Sequence, residues 1–434
     1  MAIKTLHITN SYHPASGGIR TFYHALLEAA NRHRRLVRLV VPGPETCVEE
    51  VGGFGRIYHV AAPRVPILDS RYRWMLPHTY AWRYDSPLRR ILAAERPDLV
   101  EVCDKFWLLY LSGVLRRQWI GGVPVPVIVG LTCERLDDNM RSYVSAGWAA
   151  QIACERYMRS CYVPRFDFHV AASDYIAAEV RRLLPERLRD RLHVCPMGVD
   201  FEAFGGGHDR DGKRRELMRR VGGSENTLLL LYAGRLSKEK NLSVLPGVLA
   251  KLAGHRRFDY RLIIAGDGPF AAELRHALEE CSPGRSLFLG HCDREELRAI
   301  LYAADLFIHP NPREPFGIAP LEAMAAGLPL IAPGSGGVLT YANEENAWLA
   351  ANSAEAFAEA VERVHAGGEI CRQKVARARH TAEEFSWTRV TANYFQLYDR
   401  FHEWFVREGL RKESGTHAFA SGGNTPEIGS VEAH

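Results

Sequence analysis

The sequence has no run of about 18 apolar residues, so no membrane-spanning helix is expected. It has no C-x-x-C pair, and its nine cysteines are an odd number scattered from Cys47 to Cys371. Reduced, buried thiols in a cytoplasmic protein fit that usage better than a disulfide framework. The opening residues Met1–Ile8 run straight into a strand pattern and show no apolar core or cleavage site of a secretory leader. The expected location is cytoplasmic. Net charge is only +4, which gives no general reason to expect a nucleic-acid partner. No G-x-G-x-x-G follows the first strand, and this argues against a nicotinamide or flavin site there. The one D-x-D, Asp209–Asp211, sits in a polar stretch with no strand leading into it. It reads as a chance match, and no metal site is expected.

The basic and aromatic residues are unevenly spread. Arg32, Arg34, Arg35, Arg71, Arg73, Arg89, Arg90, Arg116 and Arg117 lie in the first third, near Tyr72, Trp74, Trp82, Trp107 and Trp119. Two readings fit. One is solvated helix faces. The other is peripheral contact with an anionic membrane surface, because Arg mixed with Trp and Tyr suits a lipid interface.

At 434 residues the chain is too long for one ordinary core, and two domains are expected. Strand and helix patterns alternate, which predicts βα units and mostly parallel sheets. Strands are predicted at Thr5–Thr9, Leu36–Val41, Arg56–Ala61, Leu99–Cys103, Val125–Leu131, Phe168–Ala172 and Leu192–Cys195, with helices at Gly18–Asn31, Pro87–Arg96, Phe106–Gln118 and Asp174–Leu184. Gly198–Gly223, with three successive glycines and then a polar run, reads as a hinge or linker. Alternation resumes with strands at Thr227–Ala233, Tyr260–Ala265, Ser286–Leu289, Leu306–His309 and Leu328–Ile331. After Trp387 an amphipathic run reads as a core-facing helix to about 410. Residues 411–434 have little apolar content and read as a disordered tail.

The most informative stretch is His309–Gly327. A buried strand ends at Pro310, a Pro-rich turn follows, and Pro320 suits the first position of a helix, where a missing N–H costs nothing. The amides around Phe316, Gly317 and Ile318 should lack intrahelical acceptors and so attract an anion such as phosphate. Glu314 and Glu322 flank them, which suits a ligand carrying both phosphate and hydroxyls. A second cluster follows the strand ending at Ala233. Gly234 allows a turn, and Arg235 and Lys240 bring a fork-shaped and a point charge that together can neutralise a diphosphate. Gly266 and Gly268 follow another strand and read either as points of close backbone approach to a ligand or as a tight turn. In the first half, Gly17 and Gly18 precede a helix, so their amides could meet phosphate or acceptor across a cleft.

These residues resemble a known family. Glu314 and Glu322 with Pro315–Gly317 between them look like the E-x7-E motif of the large retaining glycosyltransferase family called group 1, or family 4. Arg235 and Lys240, the Ala265–Pro269 turn, Pro196–Asp200 and the helix from Phe385–Trp387 are similar to that family in the same order. The resemblance covers about residues 1–410. It implies an α/β, GT-B architecture: two Rossmann-like domains facing across a cleft, with a C-terminal helix crossing back to the first. The implied division is an acceptor-side domain over 1–197, a hinge over 198–223, a nucleotide-sugar-binding domain over 224–386 and a crossing helix over 387–410.

By the same resemblance, Glu322 accepts from the ribose hydroxyls and Glu314 sits beside the donor sugar. Arg235 and Lys240 hold the diphosphate, and Gly17 and Gly18 line the other side of the cleft. Two fixed cations would remove the need for a metal, so no cofactor is expected. Retention in this family is most often explained by front-face attack, in which a leaving-group oxygen takes the acceptor proton. The chain departs from the family at Cys133, where many relatives carry a histidine before Glu-Arg-Leu-Asp. Cys133, Glu134 and Asp137 are therefore candidates for sugar or acceptor contacts, and Glu134 and Asp137 read equally well as ion-pair members. The first half also resembles members that glycosylate membrane lipids. The expected activity is transfer of a hexose from a UDP- or GDP-sugar to a hydroxyl of a cell-envelope lipid or glycan. The alternatives are a nucleotide-sugar-modifying, epimerase-like enzyme or a non-catalytic nucleotide-sugar-binding protein.

Overall fold

A computed structural model of the protein describes residues 2–13, 17–65, 72–143, 147–204, 210–255 and 259–420. The first sheet contains β1 (Thr5–Thr9), β2 (Val37–Gly43), β3 (Cys47–Val51), β4 (Gly55–Ala61), β5 (Leu99–Cys103), β6 (Val127–Thr132), β7 (Phe168–Ala171) and β8 (Leu192–Val194). Their spatial order is β3-β4-β2-β1-β5-β6-β7-β8. All neighbours are parallel except the β3–β4 edge hairpin. The sheet is apolar on both faces, as a parallel sheet covered by helices must be. Val37, Leu39, Val41 and Leu99 pack under the helix Gly18–His33, against Phe22 and Leu26. Leu6, Ile8, Val40, Val100 and Val102 face the opposite layer, with Leu88, Leu92 and Leu109.

The second sheet contains β9 (Leu228–Ala233), β10 (Tyr260–Ala265), β11 (Ser286–Gly290), β12 (Leu306–Ile308), β13 (Leu330–Pro333) and β14 (Trp348–Ala350). It is wholly parallel, in the order β11-β10-β9-β12-β13-β14. In each sheet the chain direction of winding reverses once, between β1 and β5 and between β9 and β12. Loops leaving neighbouring strands diverge at such a point, and the crevice they leave is where open α/β sheets bind ligands.

A long helix, Trp387–Ala420, joins the two halves. It starts beside Val199, whose N–H donates to the Phe385 carbonyl and whose carbonyl accepts from Trp387, both at 2.9 Å. It then returns across the first sheet, where Phe401 stacks on Phe168 with centroids 4.1 Å apart. Tyr394 donates to the Cys195 carbonyl at 2.7 Å, and Arg35 reaches Asp399 at 2.7 Å. Its deepest polar contact is Tyr398, which donates to Glu101 Oε2 at 2.5 Å. Glu101 is fully buried. Its other oxygen lies 2.8 Å from His7 Nδ1 and accepts from Tyr23 at 3.3 Å. A buried carboxylate without such partners would be strongly unfavourable, so the crossing helix completes the satisfaction of the first sheet's interior.

Four expectations need correction. The polar run read as linker is largely helix, Arg210–Val221, with Leu217, Met218 and Val221 buried. Its composition is charged throughout, yet Arg214 docks on Asp305 at 3.0 Å and fixes it to the second sheet. Asp209 lies outside the described residues, while Asp211 falls in this helix's first turn. The predicted helix Phe106–Gln118 is a 3-10 turn, Leu108–Tyr110, followed by a short helix, Leu111–Arg116. The crossing helix extends past 410, and the expected disorder of the tail beyond Ala420 lies outside the described residues. Strands β3 and β14 were not predicted. The first is an exposed, partly acidic edge strand and the second is three residues long, so neither carries a strong apolar pattern.

Tyr398→Phe removes one donor from a fully buried carboxylate. It is expected to lower unfolding free energy by about 1–3 kcal/mol, measurable by urea denaturation. An unchanged midpoint would show that the crossing helix does not depend on Glu101.

Candidate active site

The loops leaving β9 and β12 converge at the second sheet's switch point. Asn311 and Glu314 come from the β12 loop and Lys240 from the β9 loop. Lys240 Nζ donates to both Glu314 oxygens, at 3.1 and 2.9 Å, and Asn311 Nδ2 donates to Oε2 at 2.9 Å. His309 Nε2 lies 3.7 Å from the same oxygen and is buried without a hydrogen bond. Burial alone would raise the Glu314 carboxyl, but Lys240, His309 and Asn311 bring it down to about 2. Burial lowers His309 to about 4, against the pull of Glu314 and with help from Lys240. Glu314 is thus a fixed anion with its cation seated on it, not a free base.

The main chain around it is held as tightly. The Glu314 carbonyl accepts from Gly337 at 2.6 Å, and Ser335 donates to the Pro312 carbonyl at 3.0 Å. A Cβ on Gly337 would meet the Pro315 carbonyl at 1.8 Å, so this loop after β13 can approach only as glycine. The helix begins at Ile318 and runs to Ala325, with Gly317 preceding it at φ 87°, ψ 84°. Pro320 is therefore not the first helical residue but lies within the first turn, where its missing N–H is equally harmless. Tyr341 donates to the Gly317 carbonyl at 2.5 Å and fixes this entry. Among the described residues no hydrogen bond takes up the amides of Phe316, Gly317 or Ile318, as an anion cradle requires.

Glu322 lies on this helix, and no hydrogen bond or ion pair reaches its carboxylate among the described residues. Burial pushes it up to about 7, opposed by Arg294, with Asp200 adding to the rise and Arg298 opposing it further. The site therefore has two unlike carboxyls: Glu314, ionised and engaged, and Glu322, poised near neutrality and open to hydroxyls.

The two halves meet here. A Cβ on Gly18 would lie 3.2 Å from Ile318 Cδ1, so the start of the helix Gly18–His33, with Gly17 just before it, meets the start of the Ile318 helix. Ser173 donates to the Pro315 carbonyl at 2.6 Å, and Arg294 donates to Thr21 at 3.2 Å. Glu314, Lys240, Glu322, Phe316, Gly317, Ile318, Gly17 and Gly18 are thus brought together. Arg235 is on the same β9 loop with its side chain exposed, and its carbonyl accepts from Tyr232 at 3.2 Å.

Gly266 serves a tight turn between two loops. Its N–H donates to Gly290 at 2.7 Å, and at φ 148° a Cβ there would lie 1.9 Å from the Gly234 carbonyl. Gly268 is likewise pressed against the Leu236 carbonyl. Both glycines let the β10 loop pack on the loop that carries Arg235, so they act through it.

Cys133 Sγ lies 3.9 Å from Cys103 Sγ. That contact, and then burial, raise its thiol well above the ordinary range. Asp137 is an ion-pair member: it accepts from Arg135 at 2.9 Å and lies 4.0 Å from Arg182. Glu134 lines a cavity beside Cys133. The sequence reading missed Asn311, His309 and the Gly334–Gly337 loop. The last follows a strand end, the same pattern that singled out Gly266.

Two parallel doubly wound sheets, their switch-point loops turned to a shared cleft, and a last helix returning to the first sheet make up the GT-B architecture. The chain belongs to the group 1, family 4 glycosyltransferases: the profile of "Glycosyl transferases group 1" matches residues 213–381 and that of "Glycosyltransferase Family 4" residues 16–203. It is 29% identical to a Mycobacterium tuberculosis (strain ATCC 25177 / H37Ra) GDP-mannose-dependent alpha-(1-6)-phosphatidylinositol dimannoside mannosyltransferase, over 90% of this chain and 94% of that one. It is 28% identical to a Corynebacterium glutamicum GDP-mannose-dependent alpha-mannosyltransferase, over 78% of this chain and 74% of the other. Its fold is similar to sucrose-phosphate synthase from Thermosynechococcus elongatus, with a TM-score of 0.72 and 20% identity over 92% and 98% of the two chains.

An ionised carboxylate accepts from hydroxyls more strongly than a protonated one. Affinity for GDP or UDP is expected to rise several-fold between pH 6 and 8, as Glu322 titrates near 7. Glu322→Gln should flatten that step in calorimetric titrations. For folding the sign is opposite: the native state keeps a proton that an unfolded glutamate loses above its ordinary 4.5, so this group's contribution to stability declines as pH rises from 4.5 to about 7 and levels off above that.

Proposed function

We propose that the chain transfers a hexose, with retention and without a metal, from a GDP- or UDP-sugar to a hydroxyl of a glycolipid or glycan. One observation carries this reading: the unoccupied amides of 316–318 lie between an engaged Glu314–Lys240 pair and an open Glu322, opposite Gly17 and Gly18. The half built on the second sheet takes the donor, and the half built on the first takes the acceptor. GDP-mannose is the first donor to test, because two relatives carry it in their names. A glycosylated lipid is the first acceptor class, because one of them acts on phosphatidylinositol dimannoside.

In the proposed reaction the acceptor oxygen bonds to the anomeric carbon as the bond to the leaving diphosphate breaks. The hydroxyl proton passes to an oxygen of that diphosphate. Arg235, Lys240 and the helix amides stabilise the charge that develops there. Glu314, with Lys240 and Asn311 already on its oxygens, fits the role of holding sugar hydroxyls better than that of nucleophile.

A steady release of GDP or UDP from the matching nucleotide sugar is expected in the presence of EDTA. Arg235→Ala should reduce it about 100-fold, the scale on which a lost transition-state charge contact is felt, and Glu322→Ala about tenfold, the scale of a lost charge-assisted hydrogen bond to the donor. Undiminished turnover in both variants would refute the site assignment, and loss of activity in EDTA would refute metal independence.

Peripheral membrane contact has a specific surface to support it. Tyr84 is 90% exposed and Trp119 52%. Arg89 lies over the Tyr84 ring and donates to the Trp119 carbonyl, while Arg117 lies over the Trp119 ring. Arg89 is itself buried and braces the two rings, so the exposed surface consists of Tyr84, Trp119 and Arg117, a mixture suited to an anionic interface. No helix among the described residues is long and apolar enough to cross a membrane. The protein is expected to co-sediment with phosphatidylglycerol-containing liposomes more than with neutral ones, and Trp119→Ser with Arg117→Ser should weaken this. Equal partition to both liposome types would count against the patch.

A further inference from the structure

The first sheet has its own switch point, between β1 and β5, and at that crevice lies a cavity of about 150 Å³. The loops after β1, β5 and β6 line it, together with Trp74 and Ile19. Ile19 is the neighbour of Gly18, which faces Ile318 across the cleft. Through Ile19 and Gly18 the cavity thus lies on the same side of the cleft as the contact with Ile318.

Its walls are fixed by buried polar contacts that leave one carboxylate over. Asp104 Oδ1 accepts from the amides of Phe106, Trp107 and Leu108 at 2.9, 2.6 and 3.0 Å, and so sets Phe106 and Trp107 at the mouth. Asn10 donates to Asp104 Oδ2 at 3.1 Å and accepts from the Met75 amide at 2.9 Å, which holds the segment carrying Trp74. The Trp74 and Trp107 rings lie 6.2 Å apart, inclined at 50°. Lys105 is buried and committed: it donates to Glu179 at 2.9 Å and to the Glu134 carbonyl at 2.5 Å. The Glu134 main chain is thereby pinned, while no hydrogen bond or ion pair among the described residues reaches its carboxylate.

A pair of indole faces beside an acceptor-only carboxylate is a surface for a ring that is apolar on its C–H faces and hydroxylated at its edge. A bare acyl chain would leave Glu134 unused. We propose that this cavity holds the acceptor as a cyclic polyol, a pyranose or a cyclitol, with Trp74 and Trp107 against the ring face and Glu134 taking a ring hydroxyl. The inference rests on the glycosyltransferase reading above and names the acceptor chemistry that reading leaves open. At this size the cavity takes one ring, smaller than the usual ligand pocket of about 300–1,000 Å³, with the rest of the acceptor passing out over Phe106.

The test is transfer from the nucleotide sugar that the release assay selects, offered to octyl α-D-mannopyranoside, to myo-inositol and to 1-octanol. Transfer to the mannoside or to inositol and not to octanol is expected, and the two ring acceptors separate pyranose from cyclitol. Trp107→Ala and Glu134→Gln should each raise the acceptor KM about tenfold, equivalent to one lost aromatic face or charge-assisted hydrogen bond. The dissociation constant for GDP or UDP should move less than about twofold, and Trp107→Phe should recover part of the acceptor KM. Octanol used as well as the ring acceptors, or acceptor KM unchanged in both variants, overturns the inference. So does donor hydrolysis without transfer to either ring. Absence of donor hydrolysis as well would remove the glycosyltransferase reading and this inference with it.

Discussion

The cleft depends on one buried carboxylate. Glu314 lies where a charge is costly, and every loop at the second sheet's switch point contributes to keeping it there. The β9 loop supplies Lys240 to both oxygens, the β12 loop supplies Asn311, and the β13 loop donates Gly337 to the Glu314 carbonyl. Removing one partner of such a pair is far more damaging than never having it, because the remaining charge is left unpaired in a poor solvent. The three loops are therefore coupled, and the shape of the anion cradle beside them follows from satisfying that one group.

The same logic recurs on the other side of the molecule with a different outcome. Glu101 is fully buried and engaged by His7, Tyr23 and the crossing helix's Tyr398. Nothing about it opens to the cleft. It anchors the returning helix, which starts beside Val199 and packs on the first sheet. Glu322 and Glu134 complete the contrast. No hydrogen bond or ion pair among the described residues reaches either carboxylate, and Glu134 lines a cavity. Four carboxylates thus divide by environment into two that are engaged by protein partners and two that are not.

Much of the fold was legible because apolar runs bounded by turn residues repeat along the chain, and parallel buried strands give the strongest such pattern. What escaped had weak apolar character. Cys47–Val51 is an exposed edge, and Arg210–Val221 is so charged that only three buried side chains mark it as helix. Within the site, Glu314, Glu322, Arg235, Lys240 and the 316–318 amides were legible because they combine charge with a strand-end position. Asn311 and His309 were not, since a polar residue three before a glutamate carries no message until the loop folds back. Asp137 could not be separated from Glu134 in sequence. Arg135 and Arg182 claim the first, while Lys105 holds the second by its main chain alone.

Sequence by itself determined the class of fold, the family and the chemical types at the donor site, because these follow from periodicity and from residues close together in the chain. Tertiary structure decided how those groups divide the work. It placed Lys240 on Glu314, left Glu322 open, and turned Gly266 into a packing contact. It also joined Trp74, Trp107 and Glu134 around one cavity. Such assignments depend on which partner reaches a charge first in space, and residues from strands far apart in sequence meet only once the sheets have reversed their winding and brought the loop ends together.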